Sequence, residues 1–261
     1  MKRFYASIAA ALLIATPAIS QTPETKGYDI AARSDRLDKG YGTSIAKLEM
    51  VLTNAAGKST TRTLEIRSQE KPSEEVGDKA VTLFFTPPDV EGTALLSHAK
   101  ILESDDQWLY LPEIARVKRI SSSNKSGPFV GSEFAFEDLT ASELNKYAYR
   151  YIESKNVDGM MMDVVEQKPL YERSGYTKLV GYYDQKQHLL RKIEFYNRGG
   201  THFKTLTQSD FQNYGGTIFR PNLQKMENHL TGKSTLLKAL SYEFGVTLDE
   251  NDFKPASLTR L

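Results

Sequence analysis

The chain has 261 residues, with 34 Lys and Arg against 33 Asp and Glu, no cysteine and a single Trp among many Tyr and Phe. A formal charge of +1 exerts no pull on nucleic acid. The missing cysteine excludes disulfides, cysteine catalysis and thiolate metal sites. The length serves one large β domain or two small ones, and the aromatic and β-branched content favours sheet.

Lys2 and Arg3 precede the apolar stretch FYASIAAALLIATPAIS, and Ala18 and Ser20 are spaced for cleavage before Gln21. That plan predicts a secretory signal peptide over residues 1–20 and a single mature domain over 21–261. The run is too short and alanine-rich for a membrane anchor. An exported chain without disulfides or a lipobox cysteine fits the bacterial periplasm. Loss of Lys2 and Arg3 takes the formal charge from +1 to −1.

The first mature element is a short helix over Tyr28–Leu37, ended by Lys39-Gly40-Tyr41-Gly42. Alternation follows at once. Ala46, Leu48, Met50 and Leu52 share one parity, NAAGK turns the chain, and STTRTLEIRSQ returns. Short runs then recur at hairpin spacing: AVTLFFT, GTALLSHAKIL, QWLYLP, RVKRIS, YAYRYIES, MMMDVVEQ, TKLVGYYD, HLLRKIEFYN, HFKTLTQSDF and GTIFRPN. The segments between them, SEEVGD, PPDVEG, NVDG, YDQKQ, NRGG and NYGG, accept turn dihedrals. Such a chain predicts an antiparallel meander with no linker and no internal repeat. A sheet of that size must curl, and either its own side chains or a covering segment must fill the concave face. Glu133–Tyr147 is the covering candidate, a helix with Thr140 as N-cap, Glu143 completing a capping box, and Leu139, Leu144 and Tyr147 inward.

Near the end, TGKSTLLKAL resembles half of a nucleotide-binding loop. The first glycine of that pattern is replaced by Glu227, and only 29 residues follow Gly232, so no nucleotide is expected. HLTGKST reads as a hairpin turn leading into a late strand, with Leu236, Leu240, Tyr242 and Phe244 sharing a parity. His98, His188, His202 and His229 are scattered without metal-ligand spacing, and SSSNKSG is no nucleophile elbow. Glu133, Glu137 and Asp138 form the one acidic cluster worth weighing as a glycosidase-like pair, and such residues commonly precede a helix for electrostatic reasons. No metal, cofactor or enzymatic activity is expected. What remains is apolar: Trp108 and Tyr110 share one face of their strand, Leu109 and Leu111 the other, and the Met160-Met161-Met162 run is adaptable. Sequence leaves open whether these side chains fill a core or line a cavity for an apolar ligand.

The stretch WLYLPEIARVKRISSSNKSGPFVGSEFAFEDL resembles the signature of the LolA-like family of outer membrane lipoprotein-sorting proteins. The matching residues are Trp108, Leu109, Tyr110 and Pro112, then Arg116, Val117, Lys118, Arg119 and Ile120, then Phe129, Gly131, Ser132, Phe134, Glu137, Asp138 and Leu139. FFTPPDVEGTALLS and GKSTLLKALSYEFGVTLDENDFKPASL, Gly232 to Leu258, resemble the family more weakly. The resemblance implies a mainly β (α+β) fold: one unclosed antiparallel β-barrel of about ten or eleven strands with a few lid helices over a hydrophobic cavity. It implies a monomeric periplasmic carrier of acylated cargo, with an inner-membrane exporter of the RND or MMPL type as a partner; the rivals are an accessory subunit of such an exporter with a filled interior and, after it, an envelope hydrolase that would depend on Glu133, Glu137 or Asp138. Cavity candidates are Leu83, Phe85, Leu95, Trp108, Tyr110, Phe129, Phe134, Phe136, Leu139, Leu144, Met160, Met162, Ile193 and Phe195. Arg116, Lys118 and Arg119 are expected at the mouth, facing an anionic head group or an acidic partner.

Overall fold

The computed structural model describes residues 21–71, 77–141 and 143–261. The expected signal peptide and residues 73–76 of the SEEVGD turn lie outside them. The helix, α1 (Pro23–Asp35), begins five residues earlier than the periodicity suggests, because Thr22 caps it by accepting from the Thr25 amide at 3.2 Å and Pro23 stands at its first turn. Thirteen strands follow: β1 (Thr43–Thr53), β2 (Ser59–Gln69), β3 (Lys79–Thr86), β4 (Ala94–His98), β5 (Asp106–Leu111), β6 (Arg116–Arg119), β7 (Tyr147–Val157), β8 (Met160–Pro169), β9 (Tyr176–Asp184), β10 (Leu190–Asn197), β11 (His202–Tyr214), β12 (Ile218–Asn228) and β13 (Ser234–Phe244). The count exceeds the ten or eleven expected, because every run singled out in the sequence, even the four-residue β6, pairs as a strand of its own.

All thirteen form one antiparallel sheet in the order β6-β5-β4-β3-β2-β1-β13-β12-β11-β10-β9-β8-β7. Each strand pairs with its chain neighbour except at one place: β1 pairs with β13, and β6 and β7 are left as the two edges. The sheet is therefore unclosed, and residues 120–146 run from one edge to the other. Leu95 of β4 and Phe195 of β10 lie far apart in strand order yet belong to the same buried cluster, together with Phe129, Phe134 and Phe136 of the connecting segment. The sheet curls around that segment.

The covering segment is not the α-helix expected. Over Phe136–Leu139 and Leu144–Lys146 it makes only single 3-10 turns, and Thr140 ends the first as its C-cap instead of opening a helix. Asp138 supplies the local fastening instead, accepting from the Ala135 amide at 2.7 Å. A long α-helix would stand its side chains away from the sheet on one flank, whereas this irregular strap drives Phe129 and Phe134 into the core. α1 closes the remaining gap on the β7 side. Gly27 lets it approach so nearly that a Cβ there would stand 2.7 Å from the Tyr151 backbone nitrogen.

The TGKST stretch is the β12–β13 turn. The Asn228 side chain accepts from the Leu230 amide, Gly232 adopts φ 67°, and Lys233 is exposed. A register shift between β1 and β13 at Lys47/Leu48 breaks the simple parity expected of β13. Leu237, Ala239 and Tyr242 pack inward, while Leu240 is 54 % exposed.

Candidate functional site

Between the sheet, α1 and the strap lies a cavity of about 340 Å³. Leu179, Ile193, Phe195, Leu206, Phe211 and Phe219 project into it from β9 to β12, so the sheet supplies an apolar wall. The opposite wall is built from the end of α1 and the strap, with Asp35, Glu137, Leu144, Lys146 and Tyr147. Gly181 sits on the β9 row between Leu179 and Tyr183, and a Cβ there would meet the Gln167 side chain at 2.6 Å. A smaller cavity of about 200 Å³ adjoins the first and shares Asp35, Asp38 and Ala141 with it.

Buried polar groups fasten the strap to this chamber. Lys204, an inward lysine on β11, bonds Asp138 at 2.6 Å with both side chains almost completely buried. Tyr176 donates to the other carboxylate oxygen of Asp138, also at 2.6 Å. The Lys204 ammonium lies 4.9 Å from the centroid of Phe195 and 5.1 Å from that of Tyr176, so its charge is balanced by a carboxylate and by ring faces. Glu137 accepts from the Gly175 amide at 2.9 Å, the Ser174 hydroxyl at 3.1 Å and the Tyr171 hydroxyl at 3.2 Å. All three donors are neutral, and burial, then the nearby Asp138 charge, raises its pKa above the usual glutamate value. Lys146 pairs with Asp105, and Lys125 donates to the Asp105 carbonyl and, at 3.0 Å, to Ser104. Burial holds the phenols of Tyr147 and Tyr176 well above their ordinary value, so both stay neutral donors.

The expected cavity residues divide into three groups. Phe134, Leu144, Ile193 and Phe195 line the chamber, while Leu139 lines the smaller one. Phe129, Phe136 and Leu95 are buried in the adjoining core without reaching either cavity wall. The rest face away. Leu83, Trp108 and Tyr110 pack on the outer face under Phe253 and Leu258 of the C-terminal tail. Met162 joins Val164, Val180 and Tyr182 in another outer cluster, and Phe85 and Met160 are 49 % and 42 % exposed. Arg116, Lys118 and Arg119 sit exposed on the β6 edge, and none lines the chamber. Arg119 is paired with Asp106 on the outer face.

Reading by sequence missed Asp35, Lys125, Lys146, Tyr176, Leu179, Lys204 and Leu206. Lys204 carried a signal: it stands in the inward parity of HFKTLT, where a solvated lysine has no place. Asp35 carried another, as an acid at the C-terminal end of a helix. The histidines expected to be scattered are partly gathered: His202 and His229 have ring centroids 4.8 Å apart and both bond the Thr205 hydroxyl, at 2.9 and 2.8 Å. Among the described residues, no group of three or more His, Asp or Glu side chains is placed to hold a metal ion.

No curated protein matches this chain. Residues 77–260 match a family described as uncharacterized-protein-like. Among solved structures, a domain from Vibrio parahaemolyticus described as an outer membrane lipoprotein-sorting protein is 45 % identical, with a TM-score of 0.86 over 90 % of this chain and 99 % of that one. A DUF1329 family protein from Desulfovibrio piger is 26 % identical, with a TM-score of 0.85 over 91 % and 100 %. A LolA superfamily protein from Nitrosomonas europaea, 18 % identical, shares the fold with a TM-score of 0.71 over 87 % and 97 %. This chain, LolA-like in fold and matched along its length, belongs to the family of the Vibrio outer membrane lipoprotein-sorting protein domain.

Proposed function

We propose that the protein is a periplasmic carrier that shelters the acyl part of a lipid or lipoprotein in this chamber during transfer towards the outer membrane. The observation that carries the reading is the chamber itself: about 340 Å³ of space against an apolar sheet wall, within the size range of small-molecule pockets. An exporter accessory subunit with a filled interior has no use for such a space. Burial of each methylene is worth ~0.8 kcal/mol, so a single acyl chain supplies ample affinity without specific polar contacts. The name borne by the Vibrio relative supports the same cargo class and compartment.

The reading is non-enzymatic. Of the acidic trio, Asp138 is tied to Lys204, Glu137 to the β8–β9 loop, and Glu133 accepts from the Asn228 side chain at 2.7 Å. All three serve to hold the strap. Native mass spectrometry of protein purified gently from periplasm, followed by lipid extraction, tests the proposal. Bound lipid is expected, and a protein that stays empty even when acyl ligands are added overturns it.

A further inference from the structure

The charges on the chamber wall are unevenly matched. Asp38 is paired with Arg220 at 2.6 Å, Asp105 with Lys146, and Asp138 with Lys204. The two cations on the wall, Lys125 and Lys146, both have protein acceptors already. Asp35 and Glu143 are different. Both are half-buried and line the chamber, yet among the described residues neither carboxylate has an ion pair or a hydrogen bond. Lys39, whose charge reaches both, makes its ion pair with Asp78 instead, at 3.6 Å. Asp35 also stands in the last turn of α1, where the helix dipole disfavours an anion. Burial raises the pKa of both groups and outweighs the charge of Lys39, which acts on each in the opposite direction. An unfavourable pair of acids kept beside an apolar chamber is the complement of a ligand that joins an apolar chain to a cation.

Building on the carrier reading, we infer that the chamber selects amphiphiles with a cationic, amine-bearing head, whose ammonium is received by Asp35 and Glu143 while the chain lies against Leu179, Phe195 and Leu206. An anionic head meets these two acids and finds every lysine on the wall already bonded. This reverses the expectation of an anionic head group at Arg116, Lys118 and Arg119.

The test is isothermal titration of the mature protein with dodecylamine, dodecanol and dodecyl sulfate below their micelle concentrations at pH 7. The expected order is amine over alcohol over sulfate, with the amine favoured about tenfold over the alcohol, as one charge-assisted hydrogen bond supplies. In D35N/E143Q, whose fold is checked by its melting curve, and in D35N alone, the amine-to-alcohol ratio falls towards one. If no probe binds, the carrier reading fails and this inference with it. Should the alcohol or the sulfate bind as well as the amine, the head-group inference fails while the carrier reading stands. An unchanged ratio in both variants removes Asp35 and Glu143 from the recognition.

Discussion

At the scale of single residues, the burial of Lys204 and Asp138 sets the largest effect. Removing one partner of a buried pair strands the other charge, at a cost of roughly 3–5 kcal/mol, whereas replacing both with apolar groups is often neutral. K204M is therefore expected to lower stability in urea by about that amount, and K204M/D138L to recover only part of it, because the leucine leaves the Tyr176 hydroxyl and the Ala135 amide without their acceptor. A small loss in K204M would mean that Asp138 escapes to water. Asp35 makes the opposite prediction. Its folded-state pKa is raised, so the folded protein holds that proton more tightly than the unfolded chain does, and stability declines as pH climbs through the carboxylate range. D35N removes that cost along with the clash at the helix end, and is expected to stabilise by about 0.3–1 kcal/mol at pH 7. The gain should fade as pH falls below the ordinary aspartate value, where wild type is protonated in both states. Thermal melts at pH 7 and pH 3.5 distinguish this from a pH-independent packing gain.

At the scale of elements, what the sequence revealed follows how many faces of a strand are covered. β1 was legible because Ala46, Leu48 and Met50 are buried while Lys47 between them is exposed. β5 was not: Leu109 faces the inner core, while Trp108 and Tyr110 lie under the C-terminal tail, so both parities are apolar for different reasons. No local pattern announces a distant tail that covers an outer face. β13 failed for a third reason, since the register shift between β1 and β13 changes the inward parity midway. The chamber was legible only in part for similar reasons. Phe134, Ile193 and Phe195 announce themselves, but the polar fastenings join distant residues, as with Glu133 and Asn228, 95 positions apart. The tail gives a prediction that uses the single tryptophan. F253A empties a fully buried site over the Trp108 cluster and is expected to cost roughly 3–5 kcal/mol. Trp108 emission should shift to the red in the folded variant while apolar ligand binding persists, because the tail and the chamber lie on opposite faces of the sheet. A parallel loss of both would contradict that separation.

At the scale of the whole molecule, one strap performs two tasks that a closed barrel would divide. It fills part of the interior with Phe129 and Phe136, and it leaves the remainder as the chamber, so a cavity survives without a continuous ladder around it. A chamber of fixed size should measure the chains it holds. Over a series of straight-chain alcohols, affinity is expected to rise about 0.8 kcal/mol per methylene, roughly fourfold, and then to level off once further methylenes remain in water. L206W narrows the apolar wall at a buried β11 position, with an overpacking cost of about 1–3 kcal/mol that leaves the sheet intact. If two methylenes are displaced, ~1.6 kcal/mol of burial is lost, so binding of a chain near the limit weakens by more than about tenfold. The plateau should also move to shorter chains, while short alcohols that never reach Leu206 bind as before. A variant that weakens all lengths equally, or none, would place the chains outside this chamber, because only a ligand that fills the space next to Leu206 can sense its side chain in proportion to its own length.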